Sequence, residues 1–385
     1  MRLALFHPYM YGKGGGERHA SRVAHHLAEE HDVTVYGLWG REGIGVPEWW
    51  EGLEVRKAWE HVKLPVLRRT LNGIITMFKE PPSDDCDLFI GFGPHGAILA
   101  GRMSDKVPTI GYFFHPWYVL YHRDIDRDNS VASKLIFRQS VLSGFLKSVD
   151  RNQVNRIREI GVNSPHIGSL ITEYYGRKPH VMMPGIDIRP PAKEMRPFSS
   201  FDDYVFIPTR IIYHKNLHTA VKALYVLRRR YRKDVKLVLS GAINHQPYWD
   251  QVQNMIRLLG LEDDVRYLGF IPENMIWALY RNAVCHWFTP YQEDFGLTPI
   301  ESMSQGTPVI ASNDGGARYT VIDGETGFLV DPNDAFAFAE RTARLLDDPE
   351  GRRRIGERGR EHVLENFTWE RHFEDWDRLI CQVSA

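Results

Sequence analysis

Residues 293–301 read Glu293-Asp294-Phe295-Gly296-Leu297-Thr298-Pro299-Ile300-Glu301, between an apolar run at 284–288 and another at 308–311. Two carboxylates stand eight positions apart across a loop that opens a helix. Thr298 suits the N-cap, Pro299 the first helical position and Glu301 the third, so one account of Glu301 is a capping box. A second account uses the same geometry. Amides of Gly296, Leu297 and Thr298 at the helix start would point at a diphosphate, while Glu293 and Glu301 reach hydroxyls on either side. Capping explains Glu301 and leaves Glu293 and Gly296 without a reason.

Outward from this stretch, short runs rich in β-branched and aromatic residues alternate with longer amphipathic ones, the pattern of parallel α/β units. One set places strands at 2–6, 32–36, 87–91 and 109–113, with helices such as 17–30 between them. A polar, proline-bearing stretch at 184–202 resists helix and central strand and reads as a linker. A second set follows, with strands at 204–208, 236–240, 265–267, 284–288 and 308–311, and final helices at 349–366 and 368–384. Phe367, Trp369, Phe373 and Trp376 crowd one face there and must pack on something. The expectation is an α/β chain of two Rossmann-like, doubly wound domains. At 385 residues the chain exceeds what one core usually serves.

Composition excludes several classes. The hydrophobic share of 43% and charged share of 25% describe a globular enzyme rather than a disordered chain. A net charge of −1 gives no global case for nucleic-acid binding, and none is expected. Cys86, Cys285 and Cys381 form no zinc pattern and read as reduced core thiols. The apolar run at 1–6 is too brief for a signal peptide or an anchor, so a cytoplasmic chain is expected. Segment 62–79 mixes Lys63, Arg68, Arg69 and Lys79 with aliphatic residues, either as an interfacial helix or as a partly buried one with a basic edge. The run Arg228-Arg229-Arg230-Tyr231-Arg232-Lys233 reads as a solvated helix C-terminus.

Gly12-Lys13-Gly14-Gly15-Gly16-Glu17 lies between the first strand and the first helix, where amides and the helix dipole hold a phosphate or a sugar hydroxyl. A dinucleotide fingerprint fits less well, since the second strand ends in Tyr36 and Gly37 rather than an acid. Asp124 and Asp126 are the nearest approach to a metal-binding Asp-x-Asp pair and follow no strand, so no metal is assigned.

The Glu-x-Phe-Gly-Leu-x-x-x-Glu setting of residues 293–301 resembles the signature of retaining GT-B glycosyltransferases of family 4 (group 1). Met303 to Ala311, Gly315-Gly316 and 323–330 resemble the family's next helix, loop and strand. Arg210 and Lys215, just past the first strand of the second domain, resemble its pair of cations on the donor diphosphate. The strand ahead of them ends Ile207-Pro208-Thr209, where glycine is more usual before the arginine. Gly14 and Gly15 match the paired glycines of the first loop, and His115 the histidine directed at the transferred sugar. Segments 162–164, 167–176 and 183–187 resemble the approach to the linker.

The resemblance implies an N-terminal acceptor-side domain at 1–190, rejoined by a C-terminal helix at about 368–385, and a donor domain at 191–367, facing a central cleft. It implies donor binding by Asp294, Phe295, Gly296, Leu297, Thr298 and Glu301, with Glu293 on the sugar. The donor would be GDP-mannose or a UDP-hexose, with mannose preferred, and the acceptor a glycan, a lipid-linked hydroxyl or a small molecule; a lipid-linked acceptor would bring 62–79 to a membrane surface. No cofactor is implied. The alternatives are a GT-B-type isomerase or phosphorylase, and a non-catalytic nucleotide-sugar-binding protein.

Overall fold

A computed structural model describes residues 1–8, 10, 14–39, 48–60, 74–82, 85–121, 141–189 and 203–384. The chain divides into two units, Met1–Pro184 with Glu370–Ala385, and Gly185–Trp369. The first boundary falls ahead of 190 because Gly185 to Asp187 are tied to the second unit. Ile186 N donates to the Phe367 carbonyl (3.0 Å), and Trp369 Nε1 to Asp187 Oδ1 (2.9 Å).

In the first unit, β1 (Arg2–His7), α1 (Gly15–Ala28), β2 (Asp32–Trp39), β3 (Glu54–Glu60), β4 (Leu88–Phe92), α2 (Gly93–Met103), β5 (Thr109–Phe113), α3 (Tyr118–Tyr121), α4 (Val141–Arg156), β6 (Glu159–Val162), α5 (Pro165–Tyr175) and β7 (His180–Val181) follow in order. The sheet runs β3-β2-β1-β4-β5-β6-β7, every pairing parallel. Strand alternation feeds two cores, since Leu3 and Leu5 pack on one face and Ala4 and Phe6 on the other.

The second unit contains β8 (Tyr204–Pro208), α6 (Leu217–Arg229), β9 (Lys236–Ser240), α7 (Gln246–Leu258), β10 (Val265–Tyr267), α8 (Glu273–Asn282), β11 (Cys285–Phe288), α9 (Leu297–Ser304), β12 (Val309–Ser312), β13 (Gly327–Val330), α10 (Ala335–Asp347) and α11 (Pro349–Asn366). Its sheet runs β10-β9-β8-β11-β12-β13, again parallel. Pro208 closes β8 without harm to the ladder. Thr209 N donates to the Ser240 carbonyl (2.7 Å), so by alternation the missing Pro208 N–H faces the β11 side, where pairing stops at Phe206. Helix α12 (Trp369–Ser384) then returns to the first unit, burying Trp376 against Tyr112 (5.3 Å between ring centroids) and Phe92 (5.7 Å).

Both sheets are doubly wound. Strand order reverses between β1 and β4 in the first and between β8 and β11 in the second, and ligands of such sheets bind outside the carboxyl ends of the strands at the reversal. Cys86 and Cys285 are buried, but Cys381 is exposed on the outer face of α12, a correction to the expectation of three core thiols. Among the described residues no helix is long and apolar enough to cross a membrane.

Candidate functional site

The reversal in the second unit explains why residues far apart in sequence meet. Arg210 and Lys215 follow β8, Glu293 follows β11, and these two strands are neighbours. Lys215 Nζ donates to Glu293 Oε2 at 2.6 Å, with only a tenth of the lysine side chain exposed. The lysine backbone is pinned from both sides. Thr289 Oγ1 donates to the Lys215 carbonyl (2.7 Å), and Asn216, in the left-handed region at φ 55°, donates to the carbonyls of Thr289 (3.1 Å) and Pro332 (2.6 Å).

His214 Nε2 lies 3.8 Å from the same Glu293 oxygen. Burial, then the charge of Lys215, pushes the His214 imidazole down to about 4, so it is neutral at pH 7. Burial alone would raise Glu293; Lys215, His214 and Arg210 outweigh it and hold the carboxyl below its usual range. Arg210 itself is exposed.

The loop bearing Glu293 rests on the turn after β12. Gly316 N donates to the Glu293 carbonyl (2.6 Å), and Asp314 Oδ2 accepts from Gln292 N (3.1 Å). A Cβ on Gly315 or Gly316 would strike the backbone of residues 292–295, and Gly315 has φ 66°. Phe295 turns inward, 4% exposed and edge-on to Phe367 (6.1 Å), so what it offers a ligand is backbone. Asp294 is half-buried beside Glu293.

The start of α9 corrects the capping assignment. The cap is Gly296, at φ 95°, with no side-chain hydrogen bond, and Leu297 is the first helical residue. The left-handed turn lets the helix begin ahead of Thr298, which leaves the Thr298 hydroxyl for another partner. It meets His286 Nε2 at 3.2 Å. Glu301 lies past the third position and so outside a capping box; Tyr280 donates to its Oε2 at 3.2 Å. Burial, then Glu301, pushes the Tyr280 phenol well above its ordinary value, so it stays a donor.

In the first unit, Gly14 caps α1 with no side-chain hydrogen bond, and its carbonyl accepts from Arg18 N (3.2 Å). Gly14 and Gly15 are exposed past the end of β1; Gly12 and Lys13 lie outside the described residues. His115 follows β5, stacked on Tyr118 (5.0 Å, 12°) with Nδ1 2.8 Å from the Pro116 carbonyl. A carbonyl only accepts, so Nδ1 carries the proton and Nε2 is the acceptor in the neutral ring. At the other side of this reversal the β4–α2 turn, Gly93-Pro94-His95, was not singled out from the sequence; Gly93 has φ 68° and His95 is buried edge-on to Trp117 (5.6 Å).

Asp124 and Asp126 lie outside the described residues, as does 62–73 of the amphipathic segment. Its remaining part is built in, Met77 packing with Ile98, Trp117 and Leu146 while Phe78 is 57% exposed. Within the basic run at 228–233, Arg228 pairs with Asp234 and Asp264, and Lys233 with Asp347. No group of three or more His, Cys, Asp or Glu suited to a metal ion occurs among the described residues. The functional side chains that sequence reading passed over are His214, Asn216, Tyr280 and His286. His214 and Asn216 flank Lys215, which the sequence itself singles out. Tyr280 and His286 carry no local signal.

Two doubly wound parallel-sheet units in one chain, with candidate residues past the carboxyl ends of β1 and β5 in the first and of β8 and β11 in the second, define the GT-B class of fold. The family model described as Glycosyltransferase Family 4 matches residues 13–189, and that described as Glycosyl transferases group 1 matches 192–362. The chain belongs to these group 1, family 4 glycosyltransferases.

It is 41% identical over 120 residues to the D-inositol 3-phosphate glycosyltransferase of Corynebacterium glutamicum (strain R), a match spanning 31% of this chain and 28% of that protein. It is 30% identical over 157 residues to the alpha-1,3/1,6-mannosyltransferase ALG2 of Dictyostelium discoideum, spanning 40% and 37%. These matches cover about a third of the relatives' length. The structure of Anabaena HepE in complex with UDP and glucose superimposes with a TM-score of 0.76 at 18% identity, covering 99% of this chain and 100% of that one, a likeness of fold.

Proposed function

We propose that the protein is a retaining hexosyltransferase that moves a hexosyl residue from a nucleoside-diphosphate sugar to a hydroxyl of a glycan, glycolipid or small molecule, without a metal ion. The observation that carries this reading is the Lys215–Glu293 contact in the field of Arg210, at the carboxyl ends of β8 and β11. A nucleoside diphosphate gains negative charge as its bond to the anomeric carbon breaks, and fixed cations stabilise that charge. Arg210 and Lys215 take the diphosphate, Glu301 the ribose, and Glu293 with the amides after Gly296 the sugar. In the first unit Gly14, Gly15 and His115 serve the transferred sugar.

Retention goes with a front-face route. The bond from anomeric carbon to phosphate oxygen breaks, the acceptor oxygen bonds to that carbon on the same face, and the acceptor proton passes to the leaving phosphate. A trapped glycosyl-enzyme adduct would sink this route. The named relatives pull the donor in two directions, one being a mannosyltransferase and another holding UDP and glucose. A cytoplasmic location goes with this reading, with peripheral membrane contact through 62–79 if the acceptor is lipid-linked; flotation with anionic vesicles tests that contact.

A thermal-shift panel of UDP, GDP, ADP and their sugars is the direct test, because a ligand of the folded state alone raises the melting temperature. One nucleotide raises it in the native protein and raises it less in Arg210→Ala and Glu301→Ala. Turnover is unchanged by a chelator. A chain that shifts with none of the nucleotides is not this enzyme.

A further inference from the structure

Beneath the first turn of α9 lie two buried aromatic side chains whose polar atoms all face that turn or the strand beside it. His286, in the middle of the second sheet, is 1% exposed; its Nδ1 is 2.8 Å from the Phe206 carbonyl of β8 and its Nε2 3.2 Å from Thr298 Oγ1. The carbonyl fixes the tautomer, with Nδ1–H donating and Nε2 accepting from the threonine hydroxyl. The Tyr280 ring stands edge-on to His286, 5.5 Å away at 87°, and its hydroxyl donates to Glu301 Oε2. Thr298 and Glu301 are three residues apart and share one helical face. The helix carrying Glu301 is thus bonded at two points one turn apart, to β11 through His286 and to α8 through Tyr280.

Packing alone does not call for these polar atoms. A phenylalanine fills the site of Tyr280, and an aliphatic residue suits a central strand better than a histidine. The Tyr280 hydroxyl and His286 Nε2 are desolvated and satisfied by residues of α9, while His286 Nδ1 is fixed by β8, which is the arrangement that locks a functional side chain from behind.

We propose that Tyr280 is a positioning residue for nucleotide binding, orienting the Glu301 carboxylate, with His286 holding Thr298 in register beside it. The inference rests on the reading of Glu301 as the carboxylate that receives the ribose. Tyr280 is wholly buried beneath Glu301, so its contribution passes through that carboxylate.

A double-mutant cycle isolates that dependence. Dissociation constants for UDP, GDP and ADP are measured by calorimetry on the full chain and on Tyr280→Phe, Glu301→Ala and the double variant, with melting temperatures alongside. Tyr204→Phe is the matched control, since the buried Tyr204 hydroxyl donates to the Leu279 carbonyl (2.8 Å) from the far end of β8. Expected for the nucleotide that binds are a loss of about tenfold for Glu301→Ala and several-fold for Tyr280→Phe, with the double variant no weaker than Glu301→Ala alone. Turnover with Tyr280→Phe then shows a raised KM and a nearly unchanged kcat.

Tyr204→Phe is to lower the melting temperature and leave affinity alone. If Glu301→Ala weakens binding and Tyr280→Phe does not, or if the two losses multiply in the double variant, the positioning role is overturned and the proposed function stands. If Glu301→Ala binds nucleotide as the native chain does, or no nucleotide binds, the reading of the site fails and takes the inference with it.

Discussion

Lys215→Ala removes the ammonium that holds Glu293 and leaves a three-quarters buried carboxylate facing a neutral imidazole. Breaking such a pair costs more than the pair is worth, because the remaining charge stays desolvated. We expect a loss of roughly 1–2 kcal/mol in denaturant unfolding, discounted for the partial exposure, and a fall in turnover of about a hundredfold or more. Lys215→Ala/Glu293→Ala recovers much of the stability and none of the activity. Equal destabilisation by the single and double variants would mean that the ion pair carries no strain when broken.

The two residues are 78 positions apart, so their chemical types were legible in the sequence and their contact was not. Only the reversal of strand order brings them together. Thr298 was misread for a different reason. Threonine ahead of proline is a good cap by type, but the left-handed turn at Gly296 starts the helix earlier, and φ at a glycine is set by the loop rather than by neighbouring residue types.

At the scale of elements, the turn between β12 and β13 acts as a backing plate for the Glu293 loop. Gly315→Ala puts a Cβ into the Glu293 backbone at a residue held at φ 66°, whereas Gly324, at φ 79°, has nothing within 4 Å of the same position. Both substitutions carry backbone strain, about 1 kcal/mol for Gly324→Ala and roughly 2–3 kcal/mol for Gly315→Ala. Only Gly315→Ala moves the loop, so it alone abolishes the nucleotide-dependent thermal shift. An unaltered shift in Gly315→Ala would show that the turn does not support the site. The central strands, apolar on both faces, were readable because burial writes itself as continuous hydrophobic runs. The sheet edge β3 was not, since Glu54, Arg56 and Lys57 break the apolar pattern of a strand paired on one side only. Strands β6 and β7, of four and two residues, are too short for a period to show.

For the whole molecule, acid stability divides between the units. In the second, burial pushes His214 and His286 down to about 4, and His218 and His362 are also lowered. In the first, burial lowers His372 to about 3 and His19 well below its ordinary value, while it raises Asp150 to about 6. A histidine whose folded value is depressed stays neutral in the fold and takes up a proton on unfolding once the pH drops below about 6.5. The unfolded state then binds more protons, so stability is lost as pH falls from 6.5 towards the folded value. Asp150 works the other way, because between about pH 6 and its unfolded value near 4 the folded state holds the extra proton.

Each such group changes stability by at most about 1.4 kcal/mol per pH unit. From pH 6 to 5 His214 and His286 both draw the second unit towards unfolding, while in the first Asp150 opposes His19 and His372. The window lies above the range in which Glu293 and other carboxylates held low in the fold begin to titrate. His214 and His286 together take on the order of 3 kcal/mol per pH unit from the second unit. Pulse proteolysis in a urea series at pH 7, 6 and 5, with fragments assigned by mass, reads the midpoint of each unit. The expected result is a midpoint for residues 203–369 that falls at each step, and a midpoint that holds would mean that burial does not keep His214 and His286 neutral. A steeper fall in the first unit would mean that His19 and His372, 2.7 Å apart between their Nε2 atoms, outweigh Asp150 and set the acid limit of the fold.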